Sequence, residues 1–467
     1  MKYCVSAAEF VSTPEIDRIG TLRYSRFGLI ALFGILYVGV FAMAGANLVI
    51  PNLVPLFLKG WNLSNAVIGI LIGTIPAVIN VMVNPVVSVA SDRVRTRFGR
   101  RSPFMYVGVP GVAVTLIVMG ILTWAAPALV RSITGLLTPG QLIVAVMAFL
   151  MIWFQVFSNL GLSIFYYFCT DVVPGRLIGR FMAIFMLFNS AGGFFFSYVM
   201  MPLAERYMPL VFILEGMFLL AAFLMIFLFV REGRYPVPAK KKGISGEAWR
   251  FLKECFGSRF YLLVFLGFAI NDVSTLCRGF FSALYAQELG ISLTEYGRIL
   301  SICSLICAGL TIPLGLVIDR IKPFRVYIWG AVLIVITNTV GFLIVRDAGT
   351  FTLIVLGNAV VYTLQMASQL PSFVSLFPRE RYGQFSAANA IFSTALMALF
   401  SYFGGAFIDL MGHYRYMFLW DAVFTAIGLV ILGFVYAEWR RRGDDSSGTV
   451  LEEESGSGGG RERAISL

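Results

Sequence analysis

The sequence predicts an all-α polytopic membrane protein with twelve transmembrane helices in two similar six-helix halves. Its 467 residues are 58% hydrophobic and only 13% charged, whereas a soluble domain is about a quarter charged. The charged residues cluster in short segments between apolar runs of about twenty residues or more, the length that a helix needs to cross a bilayer. Segments of the first half recur in the second half, which favours a duplicated architecture.

Hydropathy and the charged segments predict the domain organisation. Residues 27–231 form an N-terminal six-helix half and residues 259–438 a C-terminal one. A basic, proline-containing central loop at 232–258 separates them, and a cytoplasmic segment, 1–26, precedes them. The Gly/Ser- and acid-rich tail, 439–467, is expected to be disordered. The spans are predicted at 27–58, 64–90, 103–125, 141–169, 179–203, 209–231, 259–287, 293–318, 323–345, 350–377, 384–411 and 415–438.

The Lys and Arg residues predict the orientation of the helices. With a cytoplasmic N-terminus, all but seven of the 36 Lys and Arg residues lie in cytoplasmic segments. Arg278 lies inside a span, and the other six are Lys59, Arg131, Arg206, Arg298, Arg346 and Arg415. Positive residues favour the cytoplasmic side. We therefore expect a multi-pass protein of the plasma membrane, the inner membrane of a bacterial cell, with both termini cytoplasmic.

The internal repeat consists of three matches in the same order in both halves. LSNAVIG (63–69) matches ISLTEYG (291–297), Asp92-Arg93 matches Asp319-Arg320, and PGRLIGRFMA (174–183) matches PRERYGQFSA (378–387). Parallel repeats of this kind are typical of secondary transporters, whose substrate site lies near the membrane midplane between the halves.

One charged loop carries a resemblance to a known family. SDRVRTRFGRRSPF (91–104) resembles the loop between helices two and three of the major facilitator superfamily. Its spacing, with Asn84-Pro85 upstream, is similar to that of the glycoside–pentoside–hexuronide cation symporters, as are CTDVVPGRLIGRF (169–181) and SLFPRERYGQF (375–385). The resemblance implies a symporter that carries a sugar or glycoside by rocking its two halves.

The same loop predicts a gate at the cytoplasmic face. Asp92 ends a helix, can pair with Arg93 or Arg97, and can accept hydrogen bonds from a helix N-terminus of the other half. Gly99 permits the tight turn into the next span. The proposed latch also includes Arg100 and Arg101, with Asp319 and Arg320 as its weaker twin. The alternative is that these charges only fix the topology.

The coupling ion is expected to be a proton. Sodium-using members of the family carry aspartates at the positions of Asn80 and Asn84, and a neutral amide cannot neutralise a cation. We therefore expect no sodium site there. Asp272 lies about 21 Å along its span at 1.5 Å per residue, and intramembrane carboxyls are usually functional. It is the candidate for coupling; a helix-linking ion pair or cap is the alternative. Glu215 and Asp421 are expected near the outer surface, as charges at helix N-termini.

Neutral polar residues at mid-membrane depth could line a substrate cavity. Amides supply hydrogen bonds and aromatic rings supply faces for a sugar. The candidates are Asn47, Asn80, Asn84, Gln155, Asn159, Tyr166, Asn189, Asn271, Tyr362, Gln365 and Gln369, with Trp153 and Tyr167 as further aromatic faces. Each could instead make a helix-packing contact.

Several function classes are excluded by the sequence. It contains no Walker loop, no GxSxG or HExxH motif and no Cys/His metal cluster, so neither an enzyme nor a cofactor is expected. Nucleic-acid binding is not expected either, and we predict a monomer in the bilayer with a small-molecule substrate. Two alternatives stay open: an exporter or carrier of an amphipathic, lipid-like solute, and a non-transporting membrane sensor on a transporter scaffold.

Overall fold

The computed structural model describes residues 17–19, 22–132, 139–233, 255–378 and 381–441. Within these ranges the side chains of Asp92, Arg93 and Asp319 lie outside the description. A short antiparallel hairpin of β1 (Asp17–Ile19) and β2 (Leu22–Tyr24) precedes the first helix. Most of the central loop and nearly all of the C-terminal tail lie outside the described residues.

The N-terminal half contains six helical spans. They are α1 (Arg26–Gly60), α2 (Asn65–Gly69, a π-helical turn Ile70–Thr74, then Ile75–Arg93), α3 (Ser102–Ser132), α4 (Pro139–Val172), α5 (Ile178–Phe195 with a π-helical turn Phe196–Met200) and α6 (Met201–Phe229). Helix α5 runs directly into α6, and the pair forms one helical stretch of 55 residues, Gly175–Phe229. Tyr207, with φ −140° and ψ 61°, kinks this stretch just before Pro209. The eleven apolar stretches found in the described residues therefore correspond to twelve spans.

The C-terminal half repeats this layout. It contains α7 (Arg259–Ser274, then Leu276–Glu288), α8 (Leu293–Ile321), α9 (Pro323–Ile344), α10 (Ala348–Leu376), α11 (Tyr382–Met411) and α12 (Tyr416–Arg441). Helix α7 is interrupted at Thr275, three residues after Asp272. The predicted twelve-helix, two-half architecture is confirmed.

Each half packs mainly on itself, and the halves meet through a few helices. Helix α3 packs on α4 and α6, and α1 packs on α5 and α6; in the second half α7 packs on α12 and α11, and α9 packs on α10 and α12. Contacts between the halves join α2 with α11, α8 with α5 and α6, and α1 with α7. We call the end of the bundle that carries Arg26 and Arg441 the terminal side and the opposite end the distal side.

Candidate functional site

A cavity of about 330 Å³ lies in the N-terminal half. Residues of α1, α2 and α4 line it: Met43, Asn47, Asn84, Ser158, Leu162, Ser163, Tyr166 and Tyr167. Asn47, Tyr166 and Tyr167 are exposed to it, and Asn84 is half-buried. The lining therefore combines neutral hydrogen-bonding groups with two aromatic rings, and it brings together three predicted cavity residues and one predicted aromatic face.

The other candidates of the N-terminal half lie outside this lining. Asn80, Gln155 and Asn189 are half-buried. Asn159 is buried; its Oδ1 accepts a hydrogen bond from Ser163 Oγ at 3.5 Å, and its Nδ2 has no partner among the described residues. Trp153 is about half exposed and stacks on Phe149 at 5.5 Å. Asn159 thus lies behind the cavity wall, and Trp153 lies away from it.

Asp272 lies beside the interruption of α7. Ser393 Oγ of α11 donates a hydrogen bond to Asp272 Oδ2, and the side chain of Gln369 of α10 also interacts with this carboxyl. The residue is half-buried, not sealed. Asp272 therefore connects three helices at the point where α7 loses its regular hydrogen bonding. This arrangement suits a group that binds and releases a proton.

A buried ion pair lies on the distal side of the same interruption. Arg278 Nε of α7 is 3.3 Å from Asp421 Oδ2 of α12. Tyr362 donates its hydroxyl proton to the same oxygen, Thr425 Oγ1 donates to Oδ1 at 3.3 Å, and the Arg278 guanidinium lies 3.7 Å from the Tyr362 ring centroid. Asp421 is 0% exposed. Asp421 was expected as a charge at a helix N-terminus, and the structure shows it buried and paired with Arg278.

The remaining C-terminal candidates pack between helices. Gln365 Nε2 donates to Asn271 Oδ1 at 3.3 Å, and Asn271 Nδ2 donates to Gly267 O at 2.9 Å. A Cβ atom on Gly428 would lie 2.5 Å from Asn271 Nδ2, so α12 approaches α7 closely there. Asn271, Gln365 and Tyr362 are all buried. The structure places these three in helix packing, the alternative that the sequence left open.

Glu215 on α6, expected as a charge at a helix N-terminus near the outer surface, is also buried, at 2% exposure. Its Oε2 atom has no hydrogen-bond partner among the described residues. A Cβ atom on Gly45 of α1 would lie 2.6 Å from that oxygen. The carboxyl therefore fills a space that only a glycine on α1 leaves open.

On the terminal side, the arginine-rich loop braces the N-terminal half. Arg100 donates Nε and Nη2 to the Asp171 oxygens at 2.9 and 2.7 Å, and Arg101 Nε lies 2.9 Å from Asp171 Oδ2. Glu232 accepts hydrogen bonds from the backbone N–H groups of Arg101 and Ser102, at 2.9 to 3.1 Å. These contacts join α3 to the ends of α4 and α6.

Gly99 has the conformation that the sequence predicted. Its φ is +121°, and a Cβ atom there would overlap the Glu232 carboxylate. Arg97 is exposed, and its guanidinium lies 4.7 Å from the Phe98 ring centroid. Arg320 is exposed near the end of α8. The side chains of Asp92, Arg93 and Asp319 lie outside the described part of the structure, so the latch between the halves stays a prediction.

On the distal side, two carboxylates fasten the halves together. Asp409 of α11 accepts hydrogen bonds from the Asn65 and Ala66 N–H groups at the start of α2, at 2.9 and 2.8 Å. Glu205 of α6 accepts from Thr294 N at 2.9 Å and from Thr294 Oγ1, at the start of α8. A carboxylate at a helix N-terminus satisfies free N–H groups and is favoured by the helix dipole. We call these two contacts the distal clasps.

The distal clasps are equivalent in the repeat. Ala66 and Thr294 are the fourth residues of the matching segments 63–69 and 291–297, and Glu205 and Asp409 follow the segments 174–183 and 378–387 at the same spacing.

Glycine contacts beside the clasps follow the same equivalence. A Cβ atom on Gly69 would overlap Ser401 O, and one on Gly297 would overlap Ser197 O. The two contacts close the distal side with backbone against backbone.

Sequence reasoning missed several of these partners. Asp171 and Glu232 were not linked to the arginine loop, because a pairing across separate loops leaves no local pattern. The Arg278–Asp421 pair was missed for the same reason. The distal clasps did leave a signal: both carboxylates stand at matching places in the repeat, so extending the alignment past residue 183 could have found them.

Comparisons with known proteins agree with this architecture. The family model for the Major Facilitator Superfamily matches residues 264–457. A bacterial homologue of the human lysosomal transporter Spinster, inward-facing and unoccupied, superposes with a TM-score of 0.67 at 15% identity, over 91% of this chain and 100% of that one. The chain therefore has the major facilitator fold, and its residues 264–457 are similar in sequence to that family.

Two further solved structures show the same fold. A bacterial homologue of the iron transporter ferroportin, in an inward-facing state, gives a TM-score of 0.66 at 13% identity, covering 87% of this chain and 99% of that one. A D-xylose–proton symporter gives 0.61 at 16% identity, covering 88% and 98%. No curated protein matches the chain by sequence. The neighbours differ in what their names say they carry, so they establish the fold and leave the substrate to the site.

Proposed function

We propose that the protein is a proton-coupled secondary transporter that moves a neutral polar solute of the sugar or glycoside class by alternating access. The observation that carries the proposal is the cavity of about 330 Å³ lined by Asn47, Asn84, Tyr166 and Tyr167. Amides and tyrosines offer neutral donors, acceptors and ring faces, which is the chemistry that a sugar needs. The eight described lining residues are all uncharged, which favours a neutral solute.

The arrangement of the two ends supports alternating access. On the distal side, clasps and glycine contacts hold the halves together, whereas on the terminal side the arginine loop contacts Asp171 and Glu232 of its own half. With the termini in the cytoplasm, as the charge distribution predicts, the present conformation is closed outward. Transport then requires the distal clasps to open.

Asp272 is the proposed coupling group. It is half-buried, contacts Ser393 and Gln369, and lies at the interruption of α7. Arg278, an arginine of the same helix, pairs with Asp421 and not with Asp272. A carboxyl among membrane-spanning helices is costly to keep charged, so it binds a proton readily.

The proposal is tested by uptake into proteoliposomes of radiolabelled mono- and disaccharides under an inward proton gradient, a sodium gradient or neither. We expect one sugar to accumulate with the proton gradient alone. Tyr166→Ala should weaken that uptake, whereas Trp153→Ala, a change of another exposed aromatic on α4 outside the cavity lining, should not.

Other outcomes of this assay overturn specific parts of the proposal. No uptake of any sugar would show that the proposed substrate class, a sugar or glycoside, is wrong. Accumulation of an amphipathic lipid in a parallel assay would establish the carrier alternative. Uptake driven by the sodium gradient would show that sodium, and not a proton, is the coupling ion.

A further inference from the structure

We propose that Glu215 is a second proton-binding site, located in the N-terminal half behind the cavity and distinct from Asp272. The site consists of the Glu215 carboxyl on α6 and the space above Gly45 on α1. Its ligand is a proton, which makes the carboxyl neutral in the conformation that the structure shows. This inference does not depend on the identity of the transported solute.

The first argument is the lack of a partner at a buried carboxyl. Glu215 is 2% exposed, and its Oε2 has no hydrogen-bond partner among the described residues. An ionised carboxylate that is buried without a partner costs several kcal/mol or more, and such groups take up a proton instead. Protonation converts the group to a neutral acid that an apolar helix interface tolerates.

The second argument is the contrast with a buried carboxyl near the start of the last span of the other half. Asp421 of α12 is also buried, but Arg278 and the Tyr362 hydroxyl compensate it. In the repeat alignment, Ile50 of α1 is the residue equivalent to Arg278. The buried carboxyl of the C-terminal half is thus ion-paired, whereas Glu215 makes no ion pair among the described residues.

The third argument is the position of the site relative to the cavity. Met43 and Asn47, one helical turn apart on α1, line the cavity. Gly45 lies between them in sequence and therefore points about 160° away around the helix, at 100° per residue. Glu215 contacts α1 on that opposite face. A change in the charge of Glu215 acts directly on the helix that forms one wall of the cavity.

Titratable groups on the packed helices do not neutralise Glu215. Tyr37 on α1 donates its hydroxyl proton to Phe181 O at 3.4 Å, and Glu205 on α6 binds Thr294. On α3, the contact with Gly216 is made by Ala113, Leu116 and Ile117, which are apolar. Lys59, Tyr106, Arg206, Tyr207 and Arg298 on these helices and on α8 make no hydrogen bond to Glu215 Oε2.

Infrared difference spectroscopy of the purified full chain in membranes tests the site directly. Spectra recorded between acidic and alkaline pH should contain the C=O band of a protonated carboxyl, shifted in D₂O. We expect Glu215→Gln to lose one such band, while Asp272→Asn keeps it and loses another. An unchanged set of carboxyl bands in Glu215→Gln would overturn the proposal.

A second variant keeps the test decisive if Glu215→Gln folds poorly. In Gly45→Ala the new methyl group reaches within 2.6 Å of Glu215 Oε2, and the carboxyl, at the end of a flexible side chain, must move. We expect the same band to shift in frequency. Gly34→Ala, on the same helix with nothing within 4 Å of the new Cβ, is the matched control. A band that responds equally to both substitutions, or to neither, would contradict the assignment to Glu215.

Discussion

The two halves of the molecule have the same scaffold and different polar interiors. Two equivalent contacts join the halves on the distal side, and each contains one clasp and one close glycine. Asp409 and Gly69 lie where α11 meets α2, and Glu205 and Gly297 lie where α8 meets α5 and α6. In the interior the halves diverge. Among the described residues, the N-terminal half has a cavity lined by uncharged side chains and a buried Glu215 whose Oε2 has no hydrogen-bond partner, whereas the C-terminal half has Asp272 and the Arg278–Asp421 pair.

This difference separates two tasks. Features that both halves share hold the distal side closed, and a symmetric gate can open about the axis that relates the halves. In the function that we propose, features found in one half alone hold the solute and the proton, because each needs chemistry that the repeat partner lacks. Ala44, for example, is the repeat partner of Asp272, so the charge arose outside the shared scaffold.

The largest expected effect comes from breaking the ion pair that distinguishes the C-terminal half. Arg278→Met leaves Asp421 buried at 0% exposure without its cation, which destabilises a protein by about 3–5 kcal/mol. The melting temperature in detergent should fall. The double variant Arg278→Met with Asp421→Leu should regain most of the loss, because no charge is then left unpaired. A double variant as unstable as Arg278→Met would contradict the pairing.

The next effect concerns the brace on the terminal side of the N-terminal half. Gly99→Ala forces a Cβ atom against the Glu232 carboxylate at φ +121°, and we expect a loss of about 1–3 kcal/mol. Gly290→Ala is the control, since Gly290 also has positive φ, +76°, but nothing lies within 4 Å of the new Cβ. Equal losses of thermal stability in the two variants would show that backbone strain alone causes the effect and that the contact with Glu232 contributes nothing to it.

The distal clasps test the symmetry of the comparison. Asp409→Asn and Glu205→Gln each remove a charge from hydrogen bonds to a helix N-terminus, a change of about 1.5 kcal/mol, or roughly tenfold in the closed-to-open ratio. Spin labels across the distal side should report the same shift toward the open state for both variants.

Asp347→Asn is the control for the clasps. Asp347 caps α10 within one half, at 2.9 Å from Gly349 N, so its loss should leave the labelled distance unchanged. A shift in only one of the two clasp variants would show that the halves do not share the gate equally.

The smallest effect is expected in the neutral cavity. Tyr166→Phe removes one hydroxyl from the lining and should raise the half-saturating solute concentration several-fold, since one hydrogen bond contributes about 1 kcal/mol. The protein should keep its thermal stability, because Tyr166 is exposed to the cavity. An unchanged affinity would place the solute away from α4.

The architecture could be predicted well from the sequence, because a helix that spans a membrane requires a long apolar run that is easily recognised. Apolar runs, the positive-charge pattern and the repeat defined twelve spans, and the turn at Gly99 followed from one residue. It predicted the interior less well. Asn159 and Gln365 have the same composition signal as Asn47, and only packing decides which of them faces a cavity. Glu215 and Asp421 were expected as charges at helix N-termini, and both are buried, because position along a helix does not show which face packs on another helix.

The most direct test of the account compares net accumulation with exchange in Asp272→Asn proteoliposomes, using the sugar that the wild-type protein takes up. We expect that accumulation driven by the proton gradient is lost, while exchange of labelled for unlabelled solute continues. Exchange needs only solute binding and opening of the gate, and neither requires Asp272 to release a proton. Accumulation that continues in Asp272→Asn at the wild-type level would contradict the central claim that Asp272 couples the proton to the solute.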